Sequence, residues 1–209
     1  MQIDFKGKKA IICGGSRGIG RAIALGFAKA GGDVSICARD PKALEQTRSE
    51  LAALGVKAHA ASADLAQGDS VRGYVRDAVG ALGGVDFLVN NASAFGSSDD
   101  DKGWTSNLAV DMLSIVHATQ EALPALKKVQ GSVVNISSIA ALHPAARQPP
   151  YGAIKAAVIH YTVTQAAMYA KDRVRVNCIA PGSIEFPGGV WDRRKTDNPA
   201  LYNATLQSI

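Results

Sequence analysis

The chain has few cysteines, no long apolar run and no concentration of basic residues, and each shortage removes a class of protein. Its three cysteines, Cys13, Cys37 and Cys178, all fall in apolar, strand-like segments. Buried reduced thiols are expected there, and a disulfide framework is not. No uninterrupted apolar stretch reaches the ~20 residues that a membrane helix needs. The N-terminal MQIDFKGKKAII carries only a short apolar run that leads straight into a glycine-rich turn. A signal peptide is therefore not expected, and a cytoplasmic location is. The net charge of +5 hints at polyanions, but the basic residues are scattered among acids, with no basic helix and no aromatic–basic interleaving. Nucleic acid is not an expected partner, whereas a polyanionic small ligand is compatible with the charge. The four histidines, His59, His117, His143 and His160, show no metal-ligand spacing among themselves or with the cysteines, so no metal is expected.

What the chain does have is regular alternation. Its 209 residues are 47 % hydrophobic and 20 % charged, the balance of a soluble globular domain, so a single domain over residues 1–209 is expected. Apolar runs without clean two-residue alternation recur at 9–13, 34–38, 56–63, 85–89, 132–137 and 174–179. Such runs suit strands covered on both faces. Between them lie helical patterns at 18–30, from Pro41, at 67–82, at 104–128 and from Pro149 to about 170. Regular βα alternation predicts right-handed crossovers and an α/β fold, a three-layer, doubly wound parallel sheet. The acidic run Asp99–Asp100–Asp101 reads as a solvated loop or a substrate-facing lid.

The first predicted strand runs into Cys13-Gly14-Gly15-Ser16-Arg17-Gly18-Ile19-Gly20. Glycines at 14, 18 and 20 follow a GxxxGxG spacing. A helix N-terminus with free N–H groups binds a pyrophosphate, and glycine lets the backbone approach closely. A turn that merely packs is the plainer alternative. Its place after the first strand favours a dinucleotide, held around Gly14, Ser16, Arg17, Gly18, Ile19 and Gly20. At the end of strand two an acid would bond a ribose 2′-hydroxyl and repel a 2′-phosphate. That position holds Arg39, and Arg17 can reach the same neighbourhood; guanidinium forks suit phosphate. NADP(H) is favoured and NAD(H) remains possible, because Asp40 follows immediately and is a candidate partner for Arg39.

The ordered set of motifs resembles the short-chain dehydrogenase/reductase family over nearly the whole chain. The set comprises the glycine turn, Ala63-Asp64-Leu65, Asn90-Asn91-Ala92-Ser93, Ser138, Tyr151-Gly152-Ala153-Ile154-Lys155 and Asn177-Cys178-Ile179-Ala180-Pro181-Gly182. The resemblance is closest to the branch of 3-oxoacyl carrier-protein reductases and many alcohol and sugar dehydrogenases. It implies a Rossmann-type fold and a small carbonyl or alcohol substrate. It assigns Asp64 and Leu65 to the adenine side, Asn91 and Ala92 to the ribose region, and Pro181, Gly182 and Ile184 to the nicotinamide. It makes Lys155 a ribose ligand, and it makes Trp191, with Phe186, Pro187 and Gly188–Gly189, either the apolar anchor of a substrate loop or simple packing. Family members usually continue past this loop into a seventh strand, so a truncated or naturally short chain is expected. A homo-oligomer, dimer or tetramer, is expected of the full length.

The chemistry also follows from residue types. Tyr151 and Lys155 are four apart on one predicted helix and share a face. A phenol titrates at about 10; a neighbouring ammonium is expected to stabilise its phenolate and lower that value. Tyr151 then exchanges a proton with a carbonyl or alcohol oxygen, with Ser138 bonding the same oxygen. Cys13 stands where the family usually has Thr, and Ile154 where it often has Ser. The family's fourth catalytic residue is an Asn in the long central helix; the matching position is Asp111, with Asn107 as the rival assignment. The expected activity is hydride transfer between NADP(H) and a ketone or secondary alcohol. The alternatives are NAD-dependent sugar or alcohol oxidation and a non-catalytic dinucleotide-binding regulator.

Overall fold

In the computed structural model, which describes residues 3–208, six strands form one parallel sheet in the order β3-β2-β1-β4-β5-β6. Met1, Gln2 and Ile209, the ends of the expected 1–209 domain, lie outside the described residues. The strands are β1 (Lys9–Cys13), β2 (Asp33–Ala38), β3 (Ala58–Ser62), β4 (Phe87–Asn90), β5 (Ser132–Ile136) and β6 (Arg175–Ile179). Alternation along β1 shows why it is apolar throughout. Ile11 and Cys13 pack into a core with α3 (Gly68–Leu82) and α5 (Ser114–Val129), whereas Ala10 and Ile12 face α1 (Gly18–Lys29) and α2 (Pro41–Ala52). Both faces are dry, so both parities must be apolar. β6 is an edge strand, with Arg175, Asn177 and Ile179 exposed and Val176 buried.

Cys13 and Cys37 are buried reduced thiols that face each other across the β1–β2 ladder. A hydrogen bond between the two thiols, followed by burial, pushes the Cys13 thiol well up. Cys178 is only partly buried, because its strand lies at the sheet edge. No helix among the described residues is long and apolar enough to cross a membrane.

The central helical stretch departs from expectation at both the acidic run and the middle. The acids are not a free loop. Asp100 caps α4 (Asp101–Asn107) by accepting from the Gly103 N–H at 2.7 Å, and Asp99 accepts from the Trp104 indole N–H at 2.9 Å. Carboxylates at this end complement the helix dipole. The single helix expected over 104–128 is instead interrupted by a π-helical turn at Leu108–Leu113 before α5 begins. This wider turn carries Asp111, which is fully buried. α6 (Pro149–Tyr169), opened by its two prolines, then crosses to β6, and two short helices, α7 (Val190–Asp197) and α8 (Pro199–Gln207), follow.

Candidate active site

Parallel strands place all their C-terminal ends on one edge of the sheet, and the residues singled out by sequence gather there in two groups. The first surrounds the turn between β1 and α1. Gly14 has φ +84°, and a Cβ on it would press against Ala92 at 2.9 Å. A Cβ on Gly20 would overlap the Gly14 carbonyl oxygen and the Asn91 amide. The Asn91 amide itself donates to that oxygen at 2.8 Å, which ties the β4 end to the turn. No side chain caps α1, Arg17 is its N-cap residue, and no acid stands in its first turn. A close-approach turn opening on an uncapped, acid-free helix end fits a bound pyrophosphate. The Ser16 carbonyl is occupied by the Thr47 hydroxyl at 3.1 Å, and Ile19 lines a shallow cavity with Ala22, Ile23, Ile184 and Phe186.

Arg39 is exposed just beyond β2. Asp40 turns away from it to cap α2, accepting from the Lys42 N–H at 2.9 Å. Among the described residues neither Arg17 nor Arg39 joins an ion pair. Asp33, the first residue of β2, accepts from the Lys57 N–H. Asp64 is exposed after β3 and accepts from the Ala66 N–H, whereas Leu65 is buried in the core beside α3 and α5. The Leu65 side chain is therefore a packing group, and only its backbone is left for a ligand.

The second group sits at the ends of β4, β5 and β6. The Lys155 ammonium donates to the Ile136 carbonyl at 2.8 Å and lies 3.0 Å from an Asp111 carboxylate oxygen. The approach to Asp111 is that of an ion pair, outside the angles of a hydrogen bond to that oxygen. Lys155 is 2 % exposed and Asp111 0 %. The other Asp111 oxygen accepts from the Ala94 N–H at 2.9 Å. Asn107 takes no part: its amide donates to the Gly96 and Gly103 carbonyls.

Tyr151 is 8 % exposed, with its ring stacked on Phe95 at 5.8 Å between centroids. Phe95 has φ +51°, an uncommon conformation for an aromatic residue, and its N–H donates to the Ser93 hydroxyl. The Ser138 hydroxyl lies beside the Tyr151 phenol, close enough to lower its titration, and accepts from the Ala140 N–H at 3.1 Å. With that acceptor site filled, its proton is left to donate. The expectation that Lys155 lowers the Tyr151 titration is not met. Burial pushes it above the usual phenol value, Ser138 pulls it down, and the Asp111 charge raises it further. Lys155 stands 5.7 Å from the ring centroid with its charge balanced by Asp111.

The segment after β6 joins the groups. The Pro181 carbonyl accepts from the Ile139 N–H at 3.0 Å, and Gly182 lies against Ile139. Ile184 and Phe186 then turn toward the glycine turn, where the Phe186 ring packs over Gly18. Phe186, not Trp191, is the anchor on that turn; Trp191 is half-buried under Arg194. The sequence signal for Phe186 was weak, one aromatic in a Gly/Pro-rich stretch. Also unread in the sequence was the buried amide network behind the site: Asn90 donates to Asn135, which donates to Thr162 and Gln165.

A family model described as short chain dehydrogenase matches residues 8–197. The chain belongs to the short-chain dehydrogenase/reductase family. Members are oxidoreductases that act on alcohol and carbonyl groups with nicotinamide cofactors, and the chain lies close to the 3-oxoacyl carrier-protein reductase branch. An uncharacterized oxidoreductase of Mycobacterium tuberculosis (strain CDC 1551 / Oshkosh) is 41 % identical over 183 residues, 85 % of this chain and 69 % of that protein. The 3-oxoacyl-acyl-carrier-protein reductase FabG of Chlamydia pneumoniae is 33 % identical over 215 residues, covering 100 % of this chain and 82 % of the relative. Among solved structures, L-sorbose reductase from Gluconobacter frateurii, complexed with NADPH and L-sorbose, superposes with TM-score 0.89 at 31 % identity, over 100 % of this chain and 82 % of that one. An NAD+-bound xylitol dehydrogenase superposes with TM-score 0.85 at 27 % identity, over 91 % and 75 % of the two chains.

Proposed function

We propose that this short-chain dehydrogenase/reductase interconverts a ketone and a secondary alcohol with NADP(H). The observation that carries the reading is the buried Tyr151 phenol, beside Ser138 and the Asp111–Lys155 pair at the same sheet edge as the glycine turn. Tyr151 exchanges the proton with the substrate oxygen. Ser138, with its acceptor site filled by Ala140, donates to that oxygen and orients it. Lys155 and Asp111 form the charged pair behind the phenol. Gly14, Ser16, Arg17, Gly18, Ile19 and Gly20 would hold the pyrophosphate, with Asp64, the backbone at Leu65, Asn91 and Ala92 along the adenosine half. Pro181, Gly182 and Ile184 would flank the nicotinamide, which supplies the hydride when bound. FabG of C. pneumoniae and L-sorbose reductase are carbonyl reductases by name, which supports a 3-oxoacyl or ketose-like carbonyl as substrate. The NAD+-bound xylitol dehydrogenase keeps a second reading, NAD-dependent polyol oxidation.

The test is an NADPH-consumption screen with acyl thioesters, sugars and cyclic ketones side by side. Consumption with at least one ketone is expected. Tight NADPH binding with no consumption across the screen would instead identify a dinucleotide-binding regulator.

Cofactor choice rests on Arg39, which is exposed and, among the described residues, has no acidic partner. Arg39→Asp is expected to weaken NADPH at least tenfold, about 1.4 kcal/mol, since a charge-assisted phosphate contact is lost and a repulsion added. NADH affinity should hold or improve, because a carboxylate at this position suits a ribose 2′-hydroxyl. Titrating both cofactors against both proteins checks it; an unchanged preference would show that Arg39 is only solvated.

A further inference from the structure

We infer that Asp111 balances the Lys155 ammonium inside the protein and thereby keeps the Tyr151 hydroxyl protonated near neutral pH, so that the site is set to give a proton to a carbonyl rather than take one from an alcohol. The inference rests on the reading of Tyr151 as the proton-exchanging group.

The geometry begins with the π-helical turn at Leu108–Leu113, which carries Asp111 into the interior. One carboxylate oxygen is tethered by the Ala94 N–H at 2.9 Å, and the other stands 3.0 Å from the Lys155 ammonium. The Ile136 carbonyl takes a second direction of the ammonium at 2.8 Å. Both charges are removed from water, so each is felt strongly by its neighbours, and together they sum to zero. A lone ammonium one helical turn from Tyr151 would favour phenolate; an ammonium matched by a carboxylate exerts only the small residual of a dipole.

The polar groups that face Tyr151 come from three elements. Lys155 lies on its own helix, Asp111 on the turn before α5, and the Ser138 hydroxyl follows β5. The fourth neighbour, Phe95 after β4, is an uncharged ring stacked on the phenol. Burial among these groups penalises phenolate, the Asp111 charge adds to that penalty, and Ser138 offsets part of it. The result lies above the ordinary phenol value, in the same direction as the geometry.

The overall equilibrium between carbonyl and alcohol is untouched by this arrangement. What it sets is the protonation state from which each direction starts. In reduction, hydride adds to the carbonyl carbon, the C=O π pair moves to oxygen, and that oxygen takes the proton of Tyr151, which water later restores. Oxidation runs the same steps backwards and needs phenolate at the outset. Near neutral pH only the reducing direction finds its competent form in quantity, and oxidation should require alkaline conditions.

The test is an ultraviolet titration of tyrosine phenolate in the parent, with Tyr151→Phe subtracted, followed by the same titration in Asp111→Asn. The asparagine keeps the shape and removes the charge. In the parent, the Tyr151 signal should appear only above the ordinary phenol range. In Asp111→Asn it should move to lower pH, and the alkaline rise of alcohol oxidation should move with it. A parent Tyr151 that ionises at or below the ordinary phenol value, or a titration that is the same in both proteins, would overturn the inference. If Asp111→Asn does not fold, the same comparison is made with Asp111→Ser, which also removes the charge, and an unchanged titration there overturns the inference. A parent that titrates as expected yet reduces no carbonyl at any pH would remove the donor reading of Tyr151 and the catalytic half of the inference with it, leaving only the charge balance.

Discussion

Tyr151→Phe is expected to lower turnover by roughly 10²–10⁴-fold, the usual contribution of a general acid–base group, with NADPH affinity nearly unchanged. The substitution removes one oxygen and keeps the ring. The stack on Phe95 and the burial of the aromatic face survive, so melting temperature should change little. Ser138 keeps the Ala140 N–H, so the turn after β5 holds its shape. The remaining rate would come from Ser138 and from orientation of the substrate alone. Steady-state NADPH consumption with a productive ketone, beside a binding titration of the cofactor, checks the prediction. A variant that keeps most of its turnover would take Tyr151 out of the role proposed for it.

The second large effect is on stability. Lys155→Met leaves the Asp111 carboxylate buried with only the Ala94 N–H for company. Breaking a buried ion pair from one side costs about 3–5 kcal/mol, because an uncompensated charge remains in low dielectric. For a chain of this size that corresponds to a fall in Tm of about 6–20 °C. Adding Asp111→Leu to Lys155→Met should recover much of the loss, since a buried pair replaced by apolar groups of similar volume is often close to neutral. Recovery should be incomplete, as the Ala94 N–H and the Ile136 carbonyl lose their partners. Denaturant unfolding of the parent, both single variants and the double variant gives the coupling energy. Additive losses from the two substitutions would mean that the charges do not compensate each other.

Much of the frame was legible along the chain because it depends on neighbours in sequence. The β1 segment Lys9–Cys13, the turn glycines at 14, 18 and 20, the proline starts of α2 and α6 and the four-residue spacing of Tyr151 and Lys155 are local patterns. Apolar character on both parities of a strand reports two covered faces, and the structure has them on β1. Other features were only partly legible, for equally physical reasons. The acids at 99–101 are exposed, as a solvated run should be, but an acid just before a helical run is also a cap, and Asp100 is one. Leu65 carries a motif position, but its side chain belongs to the core. The π-helical turn at Leu108–Leu113 has no hydrophobic period of its own and is invisible inside a longer helical pattern.

By itself, then, the sequence determined the order of strands and helices, the parallel sheet, the glycine turn and the identity of the family, all of which follow from local spacing or from an ordered set of motifs. Only the tertiary structure decided how the charges meet. Asp111 was legible as a departure from the family, but the direction of its effect was not. That direction depends on which atoms share a dry volume: a carboxylate 3.0 Å from Lys155, a carbonyl from β5 on the same ammonium, and a phenol in their field. Arg39 shows the opposite case: the acid beside it, Asp40, caps α2 through a contact two residues along the chain, a local pattern of an acid before a proline. Spacing along the chain specifies which groups are present, but electrostatic effects fall with distance through space and grow with exclusion of water, and both are set when distant segments pack together.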